Sequence, residues 1–124
     1  MQEHEIKTEF GTLWTACSEP KLPTQSSPAI LFLHGNSTSS RIFDPFLSQP
    51  ELKDRYKIIV FDYPGHGRSS DAPEPDRSYY QYAYAEAALE VLRYYDIKQV
   101  IILGWSLGGH VALELVSVIA IKCS

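Results

Sequence analysis

The sequence predicts an α/β fold, in which a mostly parallel sheet with flanking helices follows an antiparallel amino-terminal hairpin. Short, fully apolar runs occur at Ala29–Leu33, Ile58–Phe61 and Val100–Leu103, and a polar loop that contains glycine follows each run. Runs of this length are typical of strands buried on both faces. Apolar residues at helical spacing follow the second and third runs. Because strands that alternate with helices pair in parallel, the pattern predicts one sheet covered by helices.

The first residues of the chain predict a β-hairpin. Glu5–Phe10 and Thr12–Cys17 contain alternating or β-forming residues on either side of Gly11. The residues before this hairpin, including His4, are expected to be frayed. Ser18–Pro28 contains three prolines, which disfavour both helix and strand, and is predicted to be a loop.

Two of the predicted strands lead into long polar loops. Ala29–Leu33 precedes His34–Ser40, and Ile58–Phe61 precedes Asp62–Ser70. Polar loops at strand ends are common positions for functional residues. Between these strands Ile42–Leu47 is predicted to form a short helix, in which proline is compatible with the first turn alone.

A longer helix is predicted from about Tyr79. The hydroxyl of Ser78 can cap the amide of Gln81, whose side chain can reach back, as in a capping box. One helical stripe is predicted to pack on the sheet, and it consists of Tyr80, Tyr84, Ala88, Val91 and Tyr95. The charged residues Glu86, Glu90 and Arg93 are available for the solvent side.

Composition indicates one soluble globular domain in 124 residues, of which 44% are hydrophobic and 21% charged. The 11 basic and 15 acidic residues give a net charge of −4, and Lys and Arg do not cluster, so nucleic acid is not an expected partner. Cys17 and Cys123 lie near opposite ends of the chain and lack metal-ligand spacing. We therefore expect no metal, no cofactor and no disulfide framework.

The sequence patterns predict neither a secretory signal nor a membrane-spanning segment. Glu3, His4 and Glu5 stand where a signal peptide would have a basic start and an apolar stretch. The apolar tract Val111–Ile121 is interrupted by polar residues and is too short to cross a bilayer. We expect a cytoplasmic protein that does not enter the membrane.

The segment Gly104–Gly108 has the pattern GxSxG between a predicted strand and a predicted helix. In this context the pattern indicates a sharp corner that exposes the hydroxyl of Ser106, with small flanking residues that let strand and helix approach. A simpler interpretation is that Ser106 caps the amino terminus of the helix. The glycines and the preceding strand favour the corner.

Three segments together resemble a known family. His34–Asn36 follows one strand, Asp62–Ser69 follows the next, and Gly104–Gly108 follows the third, in the order and spacing of α/β-hydrolase-fold proteins. The resemblance covers about Ile6 to Leu115 and includes the amino-terminal half of that fold. We therefore expect residues 1–124 to form a partial, truncated α/β-hydrolase domain that ends just after the nucleophile helix.

The resemblance implies roles for individual residues. Ser106 is similar to the family nucleophile, and the backbone amides of Asn36 and Leu107 would form the oxyanion hole. A helix amino terminus favours negative charge, which suits the amide of Leu107. Asn36 could instead be a turn residue that satisfies its own loop. His34 and His66 match histidines that hold the family's loops.

The remainder of a catalytic triad is not evident. In this family the acid and the histidine follow the serine in the chain. The acidic residue and the histidine that follow Ser106 are Glu114 and His110, four residues apart on the predicted helix, and they are poor substitutes. We expect the chain as given to be inactive.

The resemblance implies that the intact relative hydrolyses a carboxylic ester or a related acyl compound, with a small-molecule acyl substrate. A serine at position 106, where other members have aspartate, disfavours dehalogenase and epoxide-opening chemistry, whereas esterase, thioesterase, amidase and carbon–carbon hydrolase activities stay open. One alternative is a non-catalytic interaction protein that pairs the exposed edge of Val100–Leu103 with another chain. Another is an incomplete gene product, which would be insoluble.

Overall fold

The computed structural model describes residues 1–21 and 28–123, with side chains to Ile119. Much of the loop predicted over Ser18–Pro28 lies outside the described residues.

Five strands form one sheet in the order β1-β2-β4-β3-β5. Strands β1 and β2, and β2 and β4, are antiparallel, whereas β3 pairs in parallel with both β4 and β5. This mixed sheet confirms the predicted α/β class, with a hairpin followed by parallel strands that alternate with helices. The strands are β1 (Gln2–Thr8), β2 (Gly11–Ser18), β3 (Ala29–Leu33), β4 (Lys57–Phe61) and β5 (Val100–Gly104).

The amino terminus is paired from its second residue, so the expectation that it frays was wrong. His4 lies opposite Thr15 in the β1–β2 ladder. Its ring also lies 5.9 Å from the ring of Tyr94 and 6.0 Å from the ring of Tyr95. The ladder and these aromatic contacts hold a segment that has little apolar character of its own.

Helices cover both faces of the sheet. The helices are α1 (Asp44–Leu47), α2 (Pro50–Lys53), α3 (Gln81–Tyr94) and α4 (Leu107–Cys123), with 3-10 turns at Ser40–Phe43 and Pro75–Arg77. Among the described residues, no helix combines the length and the apolar character needed to cross a bilayer.

Helix α3 begins later than the sequence predicts, and the predicted capping box is wrong. The hydroxyl of Ser78 donates to the carbonyl of Glu74 at 2.7 Å, because the 3-10 turn at Pro75–Arg77 engages it first. Tyr80 is the N-cap residue, makes no side-chain capping bond and is 60% exposed. The predicted stripe therefore begins inside the helix, and its remaining members are buried or half-buried.

Two apolar clusters lie on opposite faces of the sheet because successive strand residues point in opposite directions. The larger cluster packs α3 and α4 against one face and includes Leu31, Leu33, Ile59, Phe61, Val91 and Leu115. The smaller cluster lies beside the short helices and includes Trp14, Ile30, Phe32, Phe43 and Ile58. Both faces of β3 and β4 are thus buried, as their apolar sequences predict.

Strand β5 forms one edge of the described sheet, and its outward face is open. Ile101 and Leu103 are 46% and 45% exposed. On the neighbouring helix α4, Leu113 and Val116 are 71% and 59% exposed. We call these four exposed side chains the outer flank; Ile101 and Leu103 lie on the face of β5 opposite α4, and Leu113 and Val116 lie on α4 itself.

Candidate active site

Ser106 lies at a sharp corner between β5 and α4. Its φ angle is 56°, a left-handed conformation that a non-glycine residue adopts at a cost of about 1–3 kcal/mol. The amide of Trp105 donates to Leu33 O at 3.0 Å, and the amide of Gly109 donates to Ser106 O at 2.9 Å. An N-cap residue normally has an extended backbone, so this conformation disfavours the simple capping interpretation.

Glycine is required on both sides of the serine. A Cβ on Gly104 would overlap the carbonyl of Gly108, and a Cβ on Gly108 would overlap the carbonyl of Leu33. Gly109, by contrast, has open space where its Cβ would lie. Helix α4 therefore packs against β3 and β5 at a distance that larger residues would prevent.

His34 ties the loop after β3 to the loop after β4. Its Nε2 accepts a hydrogen bond from the amide of Tyr63 at 3.1 Å, and its Nδ1 lies 2.7 Å from Gly35 O. These partners require a neutral ring with the proton on Nδ1. Burial lowers the pKa of His34 to about 4. The predicted loop-holding role is confirmed, and both ring nitrogens are engaged.

Asp62 makes a second link between the same two loops. Its fully buried carboxylate accepts from the amide of Ser40 at 2.8 Å and from the amide of Arg68 at 3.0 Å. The guanidinium of Arg68 lies 3.6 Å from the same carboxylate and stacks 3.4 Å above the ring of Trp14. Asp62 begins the segment Asp62–Ser69 that resembles a family loop, but nothing in the sequence pattern predicts this role.

The predicted oxyanion donors border one groove. Asn36 and Leu107 both line a groove of about 540 Å³ whose other lining residues are Tyr79, Tyr80, Gln81, Tyr82 and Tyr84. Leu107 is the first residue of α4, where the amide has no acceptor within the helix. Asn36 also borders an adjacent groove of about 510 Å³, formed with the loop after β4. The fold thus places Asn36 and Leu107, the residue that follows Ser106, on the lining of one groove.

The described histidines do not supply an evident base for Ser106. The Nδ1 of His66 lies 2.9 Å from Pro64 O, beside the rings of Tyr63 and Tyr84. His110 is exposed on α4, and no hydrogen bond joins it to Ser106 in the part of the chain that the structure describes.

Tyrosines form the wall of the groove, a feature that the sequence patterns do not predict. Tyr84 stacks on Tyr63 with ring centroids 4.6 Å apart and planes at 4°. The hydroxyl of Tyr79 accepts from the amide of Ala72 at 3.0 Å. Burial raises the pKa of both Tyr63 and Tyr84, so both hydroxyls stay neutral. The cluster of tyrosines between positions 79 and 84 is the available signal, but helical periodicity assigns two of them, Tyr80 and Tyr84, to the core stripe.

Comparison with known proteins agrees with this geometry. The family model described as alpha/beta hydrolase fold matches residues 28–124. An uncharacterized protein of Mycobacterium tuberculosis is 39% identical over 89 residues, which are 72% of this chain and 25% of that protein. A 2-(acetamidomethylene)succinate hydrolase of Mesorhizobium japonicum is 34% identical over 85 residues, 68% of this chain and 29% of that protein.

Among solved structures, the N-acyl homoserine lactonase AidH superimposes with a TM-score of 0.84 and 38% identity over 94% of this chain and 41% of that one. The chain thus spans well under half the length of these relatives. The family model matches most of the residues of this chain, and the matched residues include the parallel strands and the corner at Ser106. The chain therefore belongs to the α/β-hydrolase fold family.

Proposed function

We propose that Ser106 is the nucleophile of a serine hydrolase that cleaves carboxylic esters, including lactones, and that the amides of Leu107 and Asn36 form its oxyanion hole. The observation that carries this proposal is the strained corner at Ser106. The next residue, Leu107, has the first amide of α4 and lines the same groove as Asn36.

In this mechanism the Oγ of Ser106 attacks the carbonyl carbon of the ester while a base takes the hydroxyl proton. The two amides stabilise the negative charge that develops on the carbonyl oxygen. Collapse of the intermediate breaks the bond to the alcohol oxygen, which receives the proton; a simple ester releases this alcohol, whereas in a lactone it stays attached to the acyl group. Water then hydrolyses the acyl-enzyme, giving the acid and restoring the Ser106 hydroxyl. We assign the base and its orienting acid to residues that correspond to the part of the relatives that this chain does not cover.

The names of relatives support the ester class. AidH is an N-acyl homoserine lactonase, and a variant of it with serine replaced by glycine was crystallised with N-hexanoyl homoserine lactone. A lactone is a cyclic ester, so serine attack on its carbonyl is the same reaction. The hydrolase from Mesorhizobium japonicum also belongs to the hydrolytic class by name.

The test is covalent labelling of Ser106 by a fluorophosphonate, which reacts with activated serines. Two proteins are compared: the 124-residue chain, and a fusion of this chain to the unmatched carboxyl-terminal part of AidH. We expect labelling of the fusion that Ser106→Ala abolishes, together with hydrolysis of N-hexanoyl homoserine lactone. Much weaker labelling is expected for the chain alone. A folded fusion, shown by circular dichroism, that is neither labelled nor active would contradict the proposal.

A second candidate is a non-catalytic protein that pairs β5 with another chain. The observation in its favour is the outward exposure of Ile101 and Leu103 on the edge strand. Stable association in sedimentation velocity that Ile101→Lys abolishes, with no labelling of Ser106 in either protein, would favour this candidate over the hydrolase.

A further inference from the structure

We propose that the groove bordered by Tyr79, Tyr80, Tyr82 and Tyr84, here called the tyrosine groove, is the subsite for the uncharged apolar part of the substrate. The inference rests on the proposed hydrolase function, because it places the reacting carbonyl beside Leu107 and Asn36, which line the same groove.

The tyrosine groove and the adjacent groove formed with the loop after β4 differ in charge from two other cavities of the described residues. None of the described residues that line these two grooves is Asp, Glu, Lys or Arg. A cavity beside β2, on the other face, is lined in part by Glu3, Arg41, Asp44 and Arg68. Another, near the 3-10 turn at Pro75–Arg77, is lined in part by three glutamates and an arginine. The tyrosine groove therefore suits a group that carries no charge.

Two of the four tyrosines in the wall, Tyr79 and Tyr84, are held in place by contacts within the protein. Tyr84 is 5% exposed and is fixed by its stack on Tyr63. Tyr79 is fixed at its hydroxyl by Ala72, and its ring packs where a Cβ on Gly65 would lie, 2.9 Å from the nearest ring atoms. Rings that are already ordered bind apolar groups with little loss of side-chain entropy.

The size of the groove matches a chain of several carbons. Its volume of about 540 Å³ lies within the range of small-molecule sites. Tyr80 and Tyr82 are 60% and 46% exposed, so their rings are available for contact. A carbonyl held at Leu107 can extend its apolar substituent along these rings.

The test measures binding of primary amides to the Ser106→Ala chain, in which no acyl transfer can occur. Octanamide is titrated against butanamide and against the monoamide of suberic acid, which has the same length as octanamide but ends in a carboxylate. Dissociation constants come from ligand-observed NMR. We expect octanamide to bind about tenfold more tightly than butanamide because four more methylene groups are partly buried. The suberic monoamide should bind about tenfold more weakly than octanamide.

Tyr80→Ser provides the decisive variant. It removes one ring of the wall, yet serine is a preferred residue at the N-cap position that Tyr80 occupies, so the fold should not weaken. We expect roughly fivefold weaker binding of octanamide and an undiminished unfolding temperature. Tyr94→Ser is the matched control, because Tyr94 lies at the other end of α3, is 52% exposed and does not line the groove. Its unfolding temperature is measured as well, because the Tyr94 ring also contacts His4.

The inference is overturned if octanamide does not bind, if the suberic monoamide binds equally well, or if Tyr80→Ser and Tyr94→Ser have the same effect. These outcomes are separate from the failure of the proposed function. If the amides bind in the expected order but the fusion to AidH is not labelled by the fluorophosphonate, the subsite proposal stands and the proposal that Ser106 is a nucleophile is rejected. If the fusion is labelled but the amides do not bind in the expected order, the proposal that Ser106 is the nucleophile stands and the subsite proposal is rejected.

Discussion

The loops at the carboxyl ends of β3 and β4 differ sharply from the outer flank, although β3 pairs directly with β5. In the loops, His34 and Asp62 each join two backbone segments by buried hydrogen bonds. On the outer flank, apolar side chains such as Leu103 and Leu113 face solvent. The positions of the loops after β3 and β4 are thus held by contacts among the described residues, whereas the flank has apolar surface without such contacts.

The largest expected effect concerns the close approach of α4 to β3. Gly108→Ala places a Cβ against the carbonyl of Leu33, and the backbone cannot yield without moving the helix. We expect a loss of at least about 3 kcal/mol in the free energy of unfolding, measured by urea denaturation.

Gly109→Ala is the control for that change, because it lies one residue further along the same helix with open space at its Cβ. Alanine has the higher helix propensity, so we expect a gain of about 0.5–1 kcal/mol. Equal losses in the two variants would show that the close contact at Gly108 does not hold the corner.

Sequence patterns predicted the architecture well because apolar runs and glycine spacing are local signals. The three strands, the loops that follow them and the corner at Ser106 all lie where the sequence placed them. The role of Asp62 was not predictable, because its partners Ser40 and Arg68 come from two different loops. Tyr80 was misassigned because periodicity does not reveal that a 3-10 turn delays the start of α3.

The second-largest expected effect concerns the hydrogen bonds by which Asp62 joins the loops after β3 and β4. Asp62→Ala leaves the buried amides of Ser40 and Arg68 without their acceptor, so we expect a loss of about 3 kcal/mol in the free energy of unfolding. Urea denaturation measures it. Asp96→Asn is the control, because that side chain is 82% exposed and asparagine tolerates its φ of 54°. A loss below 1 kcal/mol for Asp62→Ala would mean that water or another group replaces the carboxylate.

The lowered pKa of His34 predicts that the free energy of unfolding depends on pH, with an effect somewhat smaller than that of Asp62→Ala. Its pKa is about 4 in the folded protein, against an ordinary value of 6.5, so between these values the unfolded chain binds more protons. Stability from this group is complete above pH 6.5 and falls as the pH drops from 6.5 towards 4. We expect about 2 kcal/mol less stability at pH 5 than at pH 7.5 from this residue.

The measurement compares urea denaturation of the parent chain and of His34→Asn at both pH values, because carboxylates also contribute to the dependence. The parent should lose about 2 kcal/mol more than the variant between the two conditions. His110→Asn, a change at an exposed histidine, should leave the parent's dependence intact. If the free energy of unfolding of the parent and that of His34→Asn depended identically on pH, the His34 ring could not be neutral and hydrogen-bonded at both nitrogens as the structure shows.

The smallest expected effect lies on the outer flank itself. Leu113 and Leu115 are two residues apart on α4, but Leu113 is 71% exposed whereas Leu115 is fully buried. Leu113→Ala should change the free energy of unfolding by no more than about 0.5 kcal/mol, whereas Leu115→Ala should lower it by about 3 kcal/mol. Urea denaturation at low protein concentration keeps association out of the measurement. If Leu113→Ala cost as much as Leu115→Ala, the flank would be covered in solution, and the contrast between a closed loop region and an open edge would not hold.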